Sequence, residues 1–451
     1  MSGIDYIYII FDIYVIFIFL YIYCIGHKKI PIKYDFPDLV KNNVTFSIII
    51  PIYNESTSML SGLLDNLRKL NYPNDLFEVI IVDDSEEKFF NLISDVISKY
   101  KKYMNIKLIH RNEPKGFKPG ALNVAFKHSN GEYLVILDVD TRLPSNYLSV
   151  AAKIIQSSDC YYIQARSIPN IKGLVSYTYA SFIEFRNSIL LEPSSSVGFP
   201  FITGYGYIIS KDILKKLNGW CEHVLTEDLD LYIKLTSTGL NGALHPLTIS
   251  ESPPSSFKDL RIQQERWIIG SFQIIKKIFK DFVLRGSLPS KYSIFISLFL
   301  PLLLNDVALF TPFIVLFTHE NINFELISLI NIIIYITLIP AAIKLVKNMI
   351  RNYGIKNAII GLGLSSLMYN YLSVKSLYFI VKVLLNKNIK WNVTGKEQSR
   401  GSIDILARIM LAPIYIAALL LCIKNDILFL FPWILILTLS YLVELFLEIY
   451  K

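Results

Sequence analysis

The sequence predicts a Rossmann-like α/β domain with a mainly parallel sheet, joined to an α-helical transmembrane bundle. Three observations carry that reading. Hydrophobic residues fill 53% of the 451 positions and charged residues only 18%, well under the roughly 25% charged share of an ordinary globular chain. From about Val44 to Asp281 the composition is that of a soluble domain, with strand-like runs alternating with helix-like ones. On both sides of it lie apolar stretches long enough to cross a bilayer.

The apolar run from Tyr6 to Ile25 ends at His27-Lys28-Lys29. At about 1.5 Å per residue, about 20 helical residues cross a hydrocarbon layer of about 30 Å. The basic flank follows the run and no small-residue cleavage site is visible, so residues 1–30 read as a retained anchor. Its N-terminus then faces outside, with Lys28, Lys29 and Lys33 inside. Residues 31–257 form the expected cytosolic domain. Its strand-like runs are Phe46–Pro51, Phe77–Val82, Ile106–Ile109, Tyr133–Leu137 and Tyr161–Gln164, and Glu55–Leu70 has helical spacing. Strands separated by helices of this length imply right-handed crossovers and parallel pairing.

Residues 258–290 read as an amphipathic region at the membrane interface, followed by a bundle over 291–451. Its spans are expected at Ser293–Phe317, Leu326–Ile343, Leu406–Ile423 and Ile427–Leu447. Lys344, Lys347, Arg351 and Lys356 place the connection after the second of these inside. The segment 358–385 carries Ser365, Ser366, Asn370, Lys375 and Lys382 and has basic loops at both ends. It reads as a helix lying in the interface or re-entering it, with a crossing as the alternative. A cytosolic loop spans 386–402.

The net charge of +8, from 45 basic and 37 acidic residues, suits cytoplasmic loops beside anionic lipid rather than nucleic acid. No CxxC pair, GxxxxGK[ST] or GxGxxG occurs, so zinc knuckles, P-loop hydrolysis and dinucleotide binding have no motif.

Three acidic stations recur. Asp83-Asp84 follow a strand, where an open α/β sheet holds its ligands, although an acidic turn starting the next helix reads as well. Asp138-Val-Asp140 follow a second strand. Alternation along an extended chain aims both carboxylates to one side, and paired hard oxygens suit Mg²⁺ or Mn²⁺ with substrate phosphates. Thr226-Glu-Asp228 open the helical run Leu229–Leu235. The plain reading makes Thr226 an N-cap with acids at the positive helix end; the functional one makes a carboxylate a general base. In Gln263-Gln264-Glu265-Arg266-Trp267, Arg266 suits a diphosphate and Trp267 a sugar face, or the pair anchors an interfacial helix. In Lys115–Asn123, glycines allow close backbone approach, while Lys118 and Asn123 offer donors to a nucleotide.

Taken in order, these residues resemble family 2 glycosyltransferases, in particular membrane-embedded processive synthases related to cellulose, mannan and hyaluronan synthases. The likeness runs through Ser47–Glu55, Val82–Ser85, Lys118–Asn123, Asp138–Asp140, Gly204, Asn218–Trp220, Thr226–Asp228 and Gln263–Trp267. It extends to Trp391-Asn-Val-Thr394-Gly-Lys396. The resemblance implies a GT-A domain in which Asp83, Asp84, Lys118, Asp138, Gln263 and Arg266 hold a nucleotide-sugar donor. Asp140, with Asp138, would bind Mg²⁺ or Mn²⁺. Asp228 would be the catalytic base beside Glu227, and Trp267, Thr203 and Gly204 would face the acceptor. Trp391, Thr394 and Lys396 would belong to a gating loop. The acceptor segment departs from the family pattern in reading Ile202-Thr-Gly-Tyr205.

The implied reaction is inverting transfer from a UDP- or GDP-sugar to a growing β-linked polysaccharide, coupled to export. The alternative is single addition to a lipid carrier or glycolipid at the cytosolic leaflet. The implied partners are donor, polysaccharide or lipid-linked acceptor, and membrane lipid, in a multi-pass plasma-membrane protein.

Overall fold

The structure, a computed structural model, describes residues 44–284 and 342–384 and a few positions between 416 and 438. The expected anchor at 1–30 and the loop 386–402 with Trp391, Thr394 and Lys396 lie outside the described residues, as do the four expected spans, wholly or largely. Among the described residues no helix is long and apolar enough to cross a membrane.

Residues 44–251 build a seven-stranded sheet with helices on both faces. Its first half alternates β1 (Phe46–Ile52), α1 (Thr57–Leu67), β2 (Phe77–Asp83), α2 (Glu87–Tyr100), β3 (Ile106–His110), α3 (Phe117–His128), β4 (Tyr133–Ile136) and α4 (Tyr147–Ser157). The second half holds β5 (Tyr162–Pro169), α5 (Leu174–Phe185), a π-helical turn (Arg186–Leu191) and α6 (Glu192–Ser196). Then come β6 (Tyr207–Ser210), α7 (Lys211–Lys216), α8 (Glu227–Ser237) and β7 (Gly242–Glu251). Two long helices follow, α9 (Phe257–Leu284) and α10 (Ile355–Leu384).

The strand order is β3-β2-β1-β4-β6-β5-β7. β1 pairs in parallel with β2 and β4, and β2 with β3. Parallel strands covered on both faces must be apolar throughout, which explains the run Phe-Ser-Ile-Ile-Ile of β1. Alternation splits its side chains between two cores. Ile48, Ile50 and Ile52 join Leu60, Ile93 and Leu148 on one face. Ile49 joins Leu122, Leu231 and Tyr232 on the other.

β6 breaks the parallel pattern, running antiparallel to both β4 and β5. The turn leading into β6 therefore lies at the carboxyl end of β4, where the Gly206 amide donates to the Ile136 carbonyl at 2.7 Å. That reversal brings residues 203–205 beside Asp138. β7 pairs in parallel with β5 and ends the strand order.

Helix α10, expected at the interface, docks on α5. Ser181 and Ser365 hydroxyls meet at 2.8 Å, and Met368 and Leu372 pack with Tyr179, Phe182 and Leu260.

Candidate active site

At the carboxyl end of the sheet lies a solvent-open cleft. It is lined by Lys118, Asp138, Thr203, Gly204, Tyr205, Leu225, Thr226, Glu227, Asp228, Gln263, Arg266 and Trp267. Nine of the residues singled out from sequence thus converge from five separate segments of chain.

Lys118 forms the hub. It sits in the first turn of α3, after Gly116 at φ 74° and Phe117 at φ 51°. Its ammonium donates to Asp138 Oδ1 at 2.6 Å and to the Gly204 carbonyl at 3.2 Å, and lies 3.9 Å from Glu227 Oε1. Burial works against the charged form, but Asp138, Glu227 and Asp228 outweigh it and hold the lysine above its ordinary range.

Glu227 and Asp228 open α8. Burial pushes the Asp228 carboxyl upward, against the Leu229 amide, which donates to its Oδ1 at 2.9 Å, and the charge of Lys118. Burial likewise raises Glu227, with Lys118 opposing and Asp228 adding to the rise. Gly204, at φ +84°, leaves room for this carboxylate: a Cβ there would lie 2.9 Å from Asp228 Oδ2. Thr226 precedes α8 but makes no side-chain cap, so the plain N-cap reading is not what the helix start uses. On α9, Gln263, Arg266 and Trp267 occupy i, i+3 and i+4 positions, which share one face.

Asp140 does not line the cleft, and the chain does not continue extended as expected. The Thr141 amide donates to the Asp138 carbonyl at 3.0 Å, closing a turn over Val139 and Asp140. The two carboxylates still sense each other. Burial first, then Asp138 and Glu251, push Asp140 up to about 8. A concentration of acid groups that raises its own pKa is a site short of positive charge, so the donor set fits a hard divalent cation. Among the described residues no three His, Cys, Asp or Glu gather as a candidate metal cage.

Asp83 and Asp84 stand outside the cleft lining. Asp83 is fully buried and accepts from His110 Nδ1 at 2.8 Å. Arg111 grips both oxygens of Asp84, with Nε to Oδ1 at 2.6 Å, and also donates to the carbonyls of Lys115 and Phe117 at 2.8 and 3.0 Å. The pair therefore braces the loop that delivers Lys118. Asn123 donates to the Trp220 carbonyl at 3.0 Å and to Glu222 Oε1 at 2.7 Å. Among residues the sequence did not decode, Gln164 shapes the loop 203–205. Its side chain accepts from the Thr203 amide at 3.1 Å and donates to the Tyr205 carbonyl at 3.2 Å. A single glutamine inside an apolar strand carries no spacing signal.

A mainly parallel α/β sheet whose carboxyl-end cleft joins a Lys-Asp pair, a Glu-Asp pair and an Arg-Trp helix face has the make-up of the GT-A fold. Residues 47–217 match the model for glycosyl transferase family 2, and residues 133–346 that for glycosyl transferase family group 2. Residues 47–346 therefore carry a family 2 glycosyltransferase domain.

It is similar to a probable glycosyltransferase of Sulfolobus acidocaldarius, 30% identical over 247 residues, 53% of this chain and 52% of that protein. It also resembles the beta-monoglucosyldiacylglycerol synthase of Trichormus variabilis, 27% identical over 50% of this chain and 49% of that one. Glucomannan 4-beta-mannosyltransferase 1 of Oryza sativa subsp. japonica is 26% identical over 56% of this chain and 50% of its own. The chain spans about half the length of these curated relatives. In fold it matches the mannosyltransferase PcManGT from Pyrobaculum calidifontis, solved with GDP-Man and Mn²⁺. The TM-score is 0.57 and the identity 20%, covering 85% of this chain and 99% of that one.

Proposed function

We propose that the protein transfers a hexose, with inversion, from a nucleotide-sugar donor to a growing β-linked polysaccharide at the cytosolic face of a membrane. The observation that carries this reading is the convergence of Lys118, Asp138, Asp228, Arg266 and Trp267 on one cleft.

Asp138, Lys118, Gln263 and Arg266 hold the donor, with Asp83 and Asp84 supporting its nucleoside end. Asp140 and Asp138 are the residues that would hold Mg²⁺ or Mn²⁺; when bound, that ion supplies countercharge to the diphosphate. Trp267, with Thr203 and Gly204, faces the acceptor. Asp228 accepts the proton of the attacking hydroxyl as its oxygen bonds the anomeric carbon. The bond from that carbon to the phosphate oxygen breaks, and its electron pair leaves with the nucleoside diphosphate. Arg266 and Lys118 face the charge that grows there. The raised pKa of Asp228 suits a base working near neutral pH.

Apolar segments flanking the domain, and the basic connections between them, support an integral membrane setting with Trp391, Thr394 and Lys396 in a cytosolic gating loop. The likeness to a glycolipid synthase favours a second reading, addition of one sugar to a lipid at the same leaflet.

One experiment separates them. Purified full-length protein is incubated with GDP-mannose or UDP-glucose, with Mn²⁺, Mg²⁺ or EDTA, and nucleoside diphosphate release and product mass are measured. Cation-dependent release with a ladder of polymer supports the first reading, and a single-sugar glycolipid the second. No release from any donor would contradict both.

A further inference from the structure

Behind the acceptor-side wall of the cleft, all six residues of the turn Arg186–Leu191 are buried. Such π-helical turns are rare and tend to mark functional places. This one carries a guanidinium into the interior. Arg186 Nη2 donates to Ser167 Oγ at 2.8 Å and to Tyr205 Oη at 2.9 Å, with Glu251 Oε1 3.9 Å away. Glu251 Oε2 accepts from Tyr205 Oη at 2.5 Å and from Tyr179 Oη at 2.8 Å. The Arg186 guanidinium carbon also lies 5.6 Å from the Tyr205 ring centroid and 5.9 Å from that of Trp267. A cation at that range is attracted to an aromatic face.

Tyr205 and Trp267 both line the cleft, yet they come from different elements, the turn before β6 and helix α9. Arg186 reaches both and is not itself among the residues lining the cleft. We propose that Arg186 is a positioning residue for the acceptor, fixing through Tyr205 and Trp267 the aromatic wall on which an acceptor sugar ring rests. This inference rests on the glycosyl-transfer reading and deepens it. A ring released from its anchor regains rotamer freedom, which must be lost again when the acceptor binds. The bonds of Arg186 go to Ser167 and Tyr205, not to Lys118 or Asp138 at the donor end. Loss of ground-state binding alone raises KM and leaves kcat in place.

The test uses full-length protein with GDP-mannose or UDP-glucose as donor, and β-1,4-mannotetraose or diacylglycerol vesicles as acceptor. Nucleoside diphosphate release is followed while donor and acceptor are varied separately. Tyr205→Phe keeps the ring and removes the hydroxyl that Arg186 holds. Its acceptor KM should rise about five-fold or more, with donor KM and kcat within about two-fold. Arg186→Gln should show a larger rise of the same kind, and Arg186→Lys, which keeps the charge without the fork, an intermediate one. Unchanged acceptor KM in Tyr205→Phe, or donor and acceptor constants rising together, would overturn the proposal. Wild-type protein that releases no nucleoside diphosphate under any pairing would overturn the transfer reading and this one together.

Discussion

Single side chains show how burial is used on and off the site. His245 in β7 is buried, with its ring stacked on Tyr147 at 4.1 Å between centroids. Its Nδ1 accepts from the Leu247 amide and its Nε2 donates to the Tyr147 carbonyl, each at 3.1 Å. The Leu247 amide at Nδ1 requires the neutral ring, and burial pushes its pKa down to about 4. The unfolded chain protonates near pH 6.5, so between these values it binds a proton that the folded state refuses. Stability is therefore full above about pH 6.5 and lost as pH falls toward 4, by at most about 3 kcal/mol. Urea midpoints measured from pH 7 to 4.5 should fall more steeply for wild type than for His245→Gln. Equal slopes would contradict the assignment.

Among the elements, the contact of α10 with α5 gives the sharpest prediction. Gly361 lies so close to α5 that a Cβ there would stand 2.4 Å from the Tyr177 carbonyl oxygen. Backbone cannot yield as a flexible side chain does, so Gly361→Val should destabilise the docked helix by about 1–3 kcal/mol. Hydrogen exchange over 355–369 should accelerate accordingly, and unchanged protection would refute the contact. Legibility in the sequence follows similar physics. β1, β2 and β4 were readable because strands covered on both faces must be apolar runs. β6 was missed because it is only four residues long. β7 was missed because it is an edge strand that tolerates Pro246 and alternating polar residues. The place of Asp138 in the cleft was readable because a sheet of this kind collects its ligands beyond its strand ends. The turn that swings Asp140 away, and the approach of Gly204 to Asp228, depend on tertiary packing that spacing does not encode. Arg111, Gln164 and Arg186 are isolated polar residues whose partners lie in other segments or behind a turn, so no motif announces them.

At the scale of the whole molecule, the antiparallel β6 and the long helix α9 close a parallel sheet's open end into a cleft. The first delivers Thr203, Gly204 and Tyr205, and the second delivers Gln263, Arg266 and Trp267. Donor groups and the proposed base then stand within one charge network centred on Lys118. In the proposed reaction that network separates two duties: Lys118, Asp138 and Arg266 would bind charge, whereas Asp228 would move a proton. The most direct test is Asp228→Asn, comparing donor affinity by calorimetry with nucleoside diphosphate release at saturating donor. Donor binding within about three-fold of wild type and turnover reduced at least about 10²-fold is the predicted result. Equal loss of binding and turnover, or a variant that still turns over, would contradict the role given to Asp228.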